Sequence, residues 1–242
     1  MGYLFGYTMI NLPKLDSRLQ TAVAYLRKGA VMYDVGTDHA YLPIYSVAAG
    51  ISSSAVASDI NEGPTERARA NVASYGMNDK ITVIRSDGLS CVRDYSPSDI
   101  VIFGMGGELI AGIIEKAPYV KNENIRLILQ PMTCSDILRE FLAENGFEIK
   151  GETLSEDTGK IYVTICAEYS GVSKVLSDTE RIFGEKNITE NAENPIFSRL
   201  VHKTETAYET RLRGKAGAGH DTSEEERILS EIKKMKEELQ IK

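Results

Sequence analysis

Long apolar runs are missing from this chain. None approaches the ~18 residues that a membrane-crossing helix needs, so the sequence predicts no membrane span. Cysteine is sparse: Cys91, Cys134 and Cys166 stand far apart with no C-x-x-C pair. That argues against a disulfide framework and a zinc site, and no metal is expected. Residues 1 to 10 lack a basic start followed by a long apolar core, so no secretory signal is expected. Free thiols without a signal point to the reducing cytoplasm. Positive charge is in deficit, 28 Lys and Arg against 35 Asp and Glu, for a net charge of −7. That argues against an indiscriminate nucleic-acid binder but leaves room for a local basic face. The dinucleotide fingerprint G-x-G-x-x-G and the phosphate-loop ending G-K-[ST] are both absent.

What stands in their place is Val-Met-Tyr-Asp-Val-Gly-Thr-Asp-His-Ala-Tyr-Leu-Pro over residues 31 to 43. A short apolar strand reaches Asp34, turns on Gly36, and presents Asp38 and His39 at the mouth of a helix. A glycine at a strand-to-helix turn lets a ligand approach the backbone. A pyrophosphate needs an uncluttered helix N-terminus; Asp38 and His39 would crowd it, and Asp38 would repel it. A ligand with a cationic centre and no phosphate suits the turn better, which points to S-adenosylmethionine over NAD.

Strand and helix signals alternate along most of the chain. Leu15, Leu19, Ala22, Val23 and Leu26 recur at helical spacing. Then come a strand at 31–35, a helix at 42–49, a strand at 54–60, a helix at 65–75, and strands at 80–85 and 99–103. A helix at 108–116, a strand at 125–129 and a helix at 136–144, closed by Asn145-Gly146, follow. This order predicts a parallel sheet covered on both faces. Strand-like runs at 147–154 and 160–169, joined by Glu156-Asp157-Thr158-Gly159, read as a closing hairpin. The expected fold class is therefore α/β: a Rossmann-like class I methyltransferase with a mostly parallel seven-stranded sheet, helices on both faces, and a C-terminal helical hairpin. After Gly171 only helical signals remain. Asn194-Pro195 starts a helix, residues 214 to 219 with three glycines are expected to break it, and Ser223 with Glu226 reads as a capping box for the last one. The predicted division is an extension at 1–11, a cofactor-binding methyltransferase domain at 12–171 and a helical, coiled-coil-like domain at 172–242. Met9 reads as an alternative start, with residues 1 to 8 a loose extension.

Each candidate site residue has a plainer reading beside the functional one. Asp59 ends the second strand, where a carboxylate accepts hydrogen bonds from ribose hydroxyls or simply caps the next helix. Asp87-Gly88-Leu89 ends the third strand, where a carboxylate accepts from an adenine amine or marks a plain turn. Phe103-Gly104-Met105-Gly106-Gly107 follows the fourth strand, where three glycines in four positions allow close approach. The polar-Pro-Pro-aromatic loop of many amino-methylating enzymes is missing there, so backbone groups grip the target or the target is not an exocyclic amine. Asp38 either caps a helix starting near Ala40 or meets the positive charge that ring-nitrogen methylation creates; His39 is a second polar group or a structural histidine. Arg199, Lys203, Arg211, Arg213 and Lys215, with Lys14, Arg18, Arg27 and Lys28, form either an RNA-facing surface or solvated helix faces. The acidic final helix should face away from RNA.

Taken together, Leu15-Asp16-Ser17-Arg18-Leu19, the run from Asp34 to Pro43, Ala57-Ser58-Asp59-Ile60-Asn61 with Gly63-Pro64, Asp87-Gly88-Leu89 and Gly104-Met105-Gly106-Gly107 resemble the bacterial tRNA (adenine-22-N1)-methyltransferase family. The resemblance runs from Leu12 on, more in pattern than in residues over the C-terminal part. It implies S-adenosylmethionine as donor, tRNA as partner and N1-methyladenine at position 22 as product. Expected cofactor contacts are Asp34, Gly36, Thr37, His39, Asp59, Ile60, Asn61, Asp87, Gly88, Leu89, Gly104, Met105 and Gly106. Expected RNA contacts are Arg18, Gly107, Lys203, Arg211 and Arg213, with Asp38 as the catalytic residue. A cytoplasmic monomer or weak dimer is expected. The alternatives are an NAD(P)-binding oxidoreductase with a degenerate fingerprint and a non-catalytic RNA-binding protein with a methyltransferase-like shell.

Overall fold

The strands follow the alternating pattern closely. A computed structural model describes residues 12–241 and places strands at β1 (Val31–Val35), β2 (Ser54–Asp59), β3 (Ile81–Arg85), β4 (Asp99–Met105), β5 (Arg126–Pro131), β6 (Phe147–Asp157) and β7 (Lys160–Tyr169). Their order in the sheet is β3-β2-β1-β4-β5-β7-β6. β1 pairs with β2, and β2 with β3, in parallel; β7 pairs with β5 and β6 antiparallel. The expected 1–11 extension and the Met9 start lie outside the described residues. The chain divides into two compact units, Met1–Val101 and Ile102–Lys242.

In the first unit, helices α1 (Ser17–Val23), α2 (Tyr41–Ala48) and α3 (Glu62–Ser74) alternate with the strands. Asp16 caps α1 by accepting from the Leu19 N–H at 2.7 Å. The core strands carry runs such as Met32-Tyr33-Asp34-Val35, all buried, as sheets covered on both faces require. Arg27 fastens the entry to β1 by pairing with the fully buried Asp99 at 2.6 Å. α3 begins three residues before the expected Thr65, because Glu62-Gly63-Pro64 fits a first helical turn, where proline loses no hydrogen bond.

In the second unit lie α4 (Gly107–Glu115), α5 (Ser135–Glu144), α6 (Asp178–Phe183), α7 (Glu185–Glu190), α8 (Pro195–Gly217) and α9 (Ser223–Glu238). The hairpin is tighter than expected: β6 runs to Asp157, and only Thr158 and Gly159, both at positive φ, make the turn. That is the backbone a two-residue hairpin needs. The helices α6 and α7 are shorter than a sequence period can reveal. A capping box does occur in this part of the chain, but at Ser177 and Glu180 on α6. The expected box on α9 does not form. Thr222 is its N-cap; the Thr222 hydroxyl donates to Glu226 and the Ser223 hydroxyl to Asp221. The expected break at 214–219 falls in the second half of that range. α8 continues through Gly214 and ends at Gly217, and the turn falls at Gly219 with φ +71°. An interior helical glycine costs about 1 kcal/mol; here Lys215, between the two, is tied to Glu225 of α9 at 2.6 Å. α8 and α9 pair antiparallel, since Lys236 bonds Glu205 at 2.6 Å near the opposite end. Ile228, Leu229, Ile232 and Met235 form the buried stripe of α9.

Candidate active site

At the carboxyl ends of β1 and β2, the turn after Asp34 is fastened to its neighbour strand. The N–H groups of Gly36 and Thr37 both donate to the Ser58 carbonyl, at 2.8 and 2.9 Å. The Ser58 hydroxyl donates back to the Asp34 carbonyl at 2.9 Å. This double grip needs φ +79° at Gly36, which only glycine adopts without strain. The Thr37 hydroxyl oxygen accepts from the Ala40 N–H at 3.2 Å and so closes the turn into α2. The plainer reading of Asp38 as a helix cap therefore fails: α2 starts at Tyr41, its N-cap is Ala40, and no side chain caps it.

Asp34 is buried, with 8% of its surface exposed. Burial pushes its carboxyl up to about 6, opposed by the Thr37 hydroxyl and reinforced by the nearby Asp59 charge. Asp59 accepts the Asn61 N–H at 2.7 Å, and its carbonyl accepts the Ser86 N–H at 3.0 Å. Asp59 does not cap α3, whose N-cap is Asn61 with no side-chain bond. Asp87 is exposed beside Gly88 at φ +52°, Ile60 is exposed, and Leu89 is buried in the core. The first unit thus brings Asp34, Gly36, Thr37, Asp59, Asn61 and Asp87 to the ends of three adjacent strands.

Asp38 lies beside that turn with its side chain 57% exposed. Arg67 of α3 pairs with it through both Nε, at 3.0 Å, and Nη2, and the His39 Nε2 is 3.2 Å away. The His39 ring stacks on Tyr41 with centroids 5.1 Å apart, and its carbonyl accepts from Asn71 at 2.9 Å. Arg67 and Asn71 were not legible in the sequence: they are distant in the chain and belong to no motif.

In the second unit, the loop after β4 is held by the end of β5. The Gly104 N–H, at φ +80°, donates to the buried Gln130 at 3.3 Å, and the Met132 N–H donates to the Met105 carbonyl at 2.8 Å. The Gly107 N–H donates to the Thr133 carbonyl at 2.8 Å. A Cβ on Gly107 would collide with the Cys134 carbonyl, and one on Gly106 would sit 3.2 Å from the Thr133 hydroxyl. Gly107, expected to touch RNA, is itself buried, and helix packing accounts for it. Gln130, Thr133 and Cys134 belong to no motif; their signal was only their place at the end of β5 and just after it.

The basic residues are distributed unevenly. Lys203, Arg211 and Arg213 are exposed on α8, with Arg211 5.0 Å above the Tyr208 ring. Arg18 sits beside Asp16 at 3.5 Å. Arg199 is paired with Glu156, and Lys215 with Glu225. Among the described residues no cluster suits a metal ion, and no helix is long and apolar enough to cross a membrane.

Residues 15–165 match the methyltransferase domain family. The Bacillus subtilis tRNA (adenine(22)-N(1))-methyltransferase is 39% identical over 171 residues, covering 68% of this chain and 72% of that protein. The solved B. subtilis M1A22 tRNA methyltransferase TrmK superposes with TM-score 0.76 at 34% identity, over 94% of this chain and 97% of that one. A Streptococcus pneumoniae protein solved in complex with S-adenosyl-L-methionine gives TM-score 0.81 at 34% identity, over 92% and 99%.

Proposed function

We propose, for a chain that belongs to the tRNA (adenine(22)-N(1))-methyltransferase family, transfer of a methyl group from S-adenosylmethionine to N1 of adenine 22 in tRNA. The observation that carries the reading is the row of carboxylates at the ends of β1, β2 and β3. Asp34 is buried with no cationic partner among the described residues, Asp59 lies near it, and Asp87 presents an exposed acceptor after β3. Such a set fits a ligand that brings its own positive charge together with hydroxyl and amine donors. It would repel a pyrophosphate.

S-adenosylmethionine, when bound, supplies an electrophilic methyl group. Asp59 accepts from ribose hydroxyls, Asp87 from the adenine amine, and the Gly36–Thr37 turn lets the ligand approach the backbone. In the first unit His39, Ile60, Asn61, Gly88 and Leu89 complete the proposed cofactor contacts; for the second unit Gly104, Met105 and Gly106 are the proposed ones. A neutral ring nitrogen needs no deprotonation before methylation, and the methylated base carries positive charge. Asp38 meets that charge and accepts the amino proton; Arg67 and His39 fix the direction of its carboxylate. The target base has to leave any pairing first, since N1 is used in pairing.

On α8, Lys203, Thr206, Thr210 and Arg213 recur at three- and four-residue spacing and form one stripe without a carboxylate of its own, while Arg199, one step earlier, is paired with Glu156. Thr206 and Thr210 turn their hydroxyls back to helix carbonyls, leaving the cations to face outward. This stripe, with Arg211, is the proposed RNA-phosphate surface of the second unit, and Arg18 is a proposed RNA contact of the first. The domain boundary at 171/172 and a cytoplasmic monomer or weak dimer belong to the same proposal. The test is methylation of an unmodified tRNA transcript, followed by nucleoside mass analysis. N1-methyladenine confined to position 22 supports the reading, and no methylated adenine overturns it.

A further inference from the structure

The second unit contains a cavity of about 100 Å³ that the proposed chemistry does not use. It opens at the carboxyl end of β5. Leu154, Ile161, Val163, Ile182 and Leu200 give it apolar walls, and Thr133, Ser135, Tyr162 and Arg139 supply its polar groups. The space suffices for several ordered waters and for one planar ring.

Arg139 is the unusual member. It is 1% exposed and is the largest fully buried side chain among the described residues. Its Nε donates to Glu152 at 2.7 Å. Its Nη1 donates to the Arg181 and Ile182 carbonyls, at 3.1 and 2.9 Å, and to Ser135 at 3.5 Å. Nη2 makes no hydrogen bond to any described residue, although Arg139 lines the cavity. Nη2 is not one of the fully enclosed side-chain atoms without a partner, so it keeps access to the solvent side and is free to donate to a ligand. The Glu152 carboxylate already balances the charge, so the missing partner is a neutral acceptor rather than an anion. Apolar walls with a few placed polar groups suit a small flat ligand.

The cavity's neighbours name the class of ligand. Thr133 both lines it and abuts the glycine loop at Gly106. Leu200 lines it from α8, three residues before Lys203 on the basic stripe. A strand of RNA lying along that stripe toward the glycine loop would cross the cavity mouth. We propose that this cavity seats a second unstacked nucleobase of the RNA substrate, one with a carbonyl acceptor for Arg139. The occupant is not the target adenine. A guanidinium donating to adenine N1 would cover the very atom to be methylated. Guanine, uracil and cytosine offer a carbonyl oxygen, and adenine does not.

This inference rests on the tRNA-methyltransferase reading, and the experiment separates the two. Wild-type enzyme is assayed on transcripts in which each nucleotide flanking the target is replaced in turn by an abasic residue or by adenine. Replacing one carbonyl-bearing base should lower kcat/KM about tenfold, the order that one lost base contact costs. Ile161→Phe and Leu200→Phe fill the cavity. Each should lower kcat/KM on the intact transcript by a similar factor, leave S-adenosylmethionine affinity unchanged in calorimetry, and abolish the sensitivity to the replaced base. Uniform rates across the transcripts overturn the proposal, as does full activity in the filled variants. The transcript series needs no variant, so it decides even where a filled variant does not fold. Failure of the wild type to methylate any transcript would instead overturn the parent reading.

Discussion

Asp34→Asn should make the ligand-free protein more stable at neutral pH. The carboxyl of Asp34 is raised from 3.8 to about 6, chiefly by burial. In the folded state it therefore holds its proton to a higher pH than in the unfolded chain. Between pH 3.8 and 6 the folded state binds more protons, so stability falls as pH rises through that window. The lost stability is complete above about pH 6. About two units at 1.36 kcal/mol each amount to ~3 kcal/mol. Asparagine is never charged, so it escapes this term, but it changes the hydrogen bond with Thr37, worth ~1 kcal/mol. A net gain of about 1–2 kcal/mol is expected at pH 7.5, equal to roughly 2–8 °C in Tm for a chain of this size. Below pH 4 the gain should vanish. Urea unfolding of both proteins at pH 4, 5, 6 and 7.5 measures the difference and cancels all other titrating groups. A difference that is constant with pH, or a variant less stable at pH 7.5, refutes the argument. The same substitution removes a buried negative charge from the proposed cofactor site, so affinity for a cationic ligand should fall while stability rises. That opposite movement marks a residue kept for binding rather than for folding.

Other outcomes follow from the same geometry. Gly107→Ala places a methyl group against the Cys134 carbonyl and should cost about 1–3 kcal/mol; a melting temperature within a degree of wild type would show that the loop gives way freely. Asp38→Ala should cut methyl transfer far more than S-adenosylmethionine affinity, since the side chain is exposed and its partners are Arg67 and His39. Equal losses in a paired kinetic and calorimetric measurement would move Asp38 into the cofactor site. Arg211→Glu with Arg213→Glu should weaken tRNA binding and flatten its dependence on salt. Filter-binding curves that match wild type at every salt concentration would return both residues to a solvated helix face.

The fold was legible because its sheet is built from short apolar strands separated by helices, a pattern that local residues control. The ends were less legible because they depend on partners. The residues 214–219 contain three glycines and read as a break, yet α8 continues through Gly214 to Gly217, and φ turns positive only at Gly219. What carries the helix through Gly214 and Gly217 includes the Lys215–Glu225 pair with α9, a contact that no local signal announces. The Ser223–Glu226 spacing has the form of a capping box, but Asp221 captures the Ser223 hydroxyl first, while the box that does form, at Ser177, lies ahead of a six-residue helix too short to show a period.

The site divides the same way. Gly36, Asp59 and the glycines after β4 stand in motifs because a backbone conformation dictates them, and such constraints leave a mark in a single sequence. Arg67, Gln130 and Arg139 are dictated only by what the fold carries to them. Arg67 meets Asp38 from another helix, Gln130 reaches Gly104 from the next strand of its unit, and Arg139 finds Glu152 across a helix and a strand. An arginine in an amphipathic helix reads as surface, because burying one without partners is prohibitive. The partners that make Arg139 possible come from β6 and from the carbonyls at the end of α6, and α6 was itself invisible in the sequence. The residue with the least local signal is thus the one on which the proposed base contact depends.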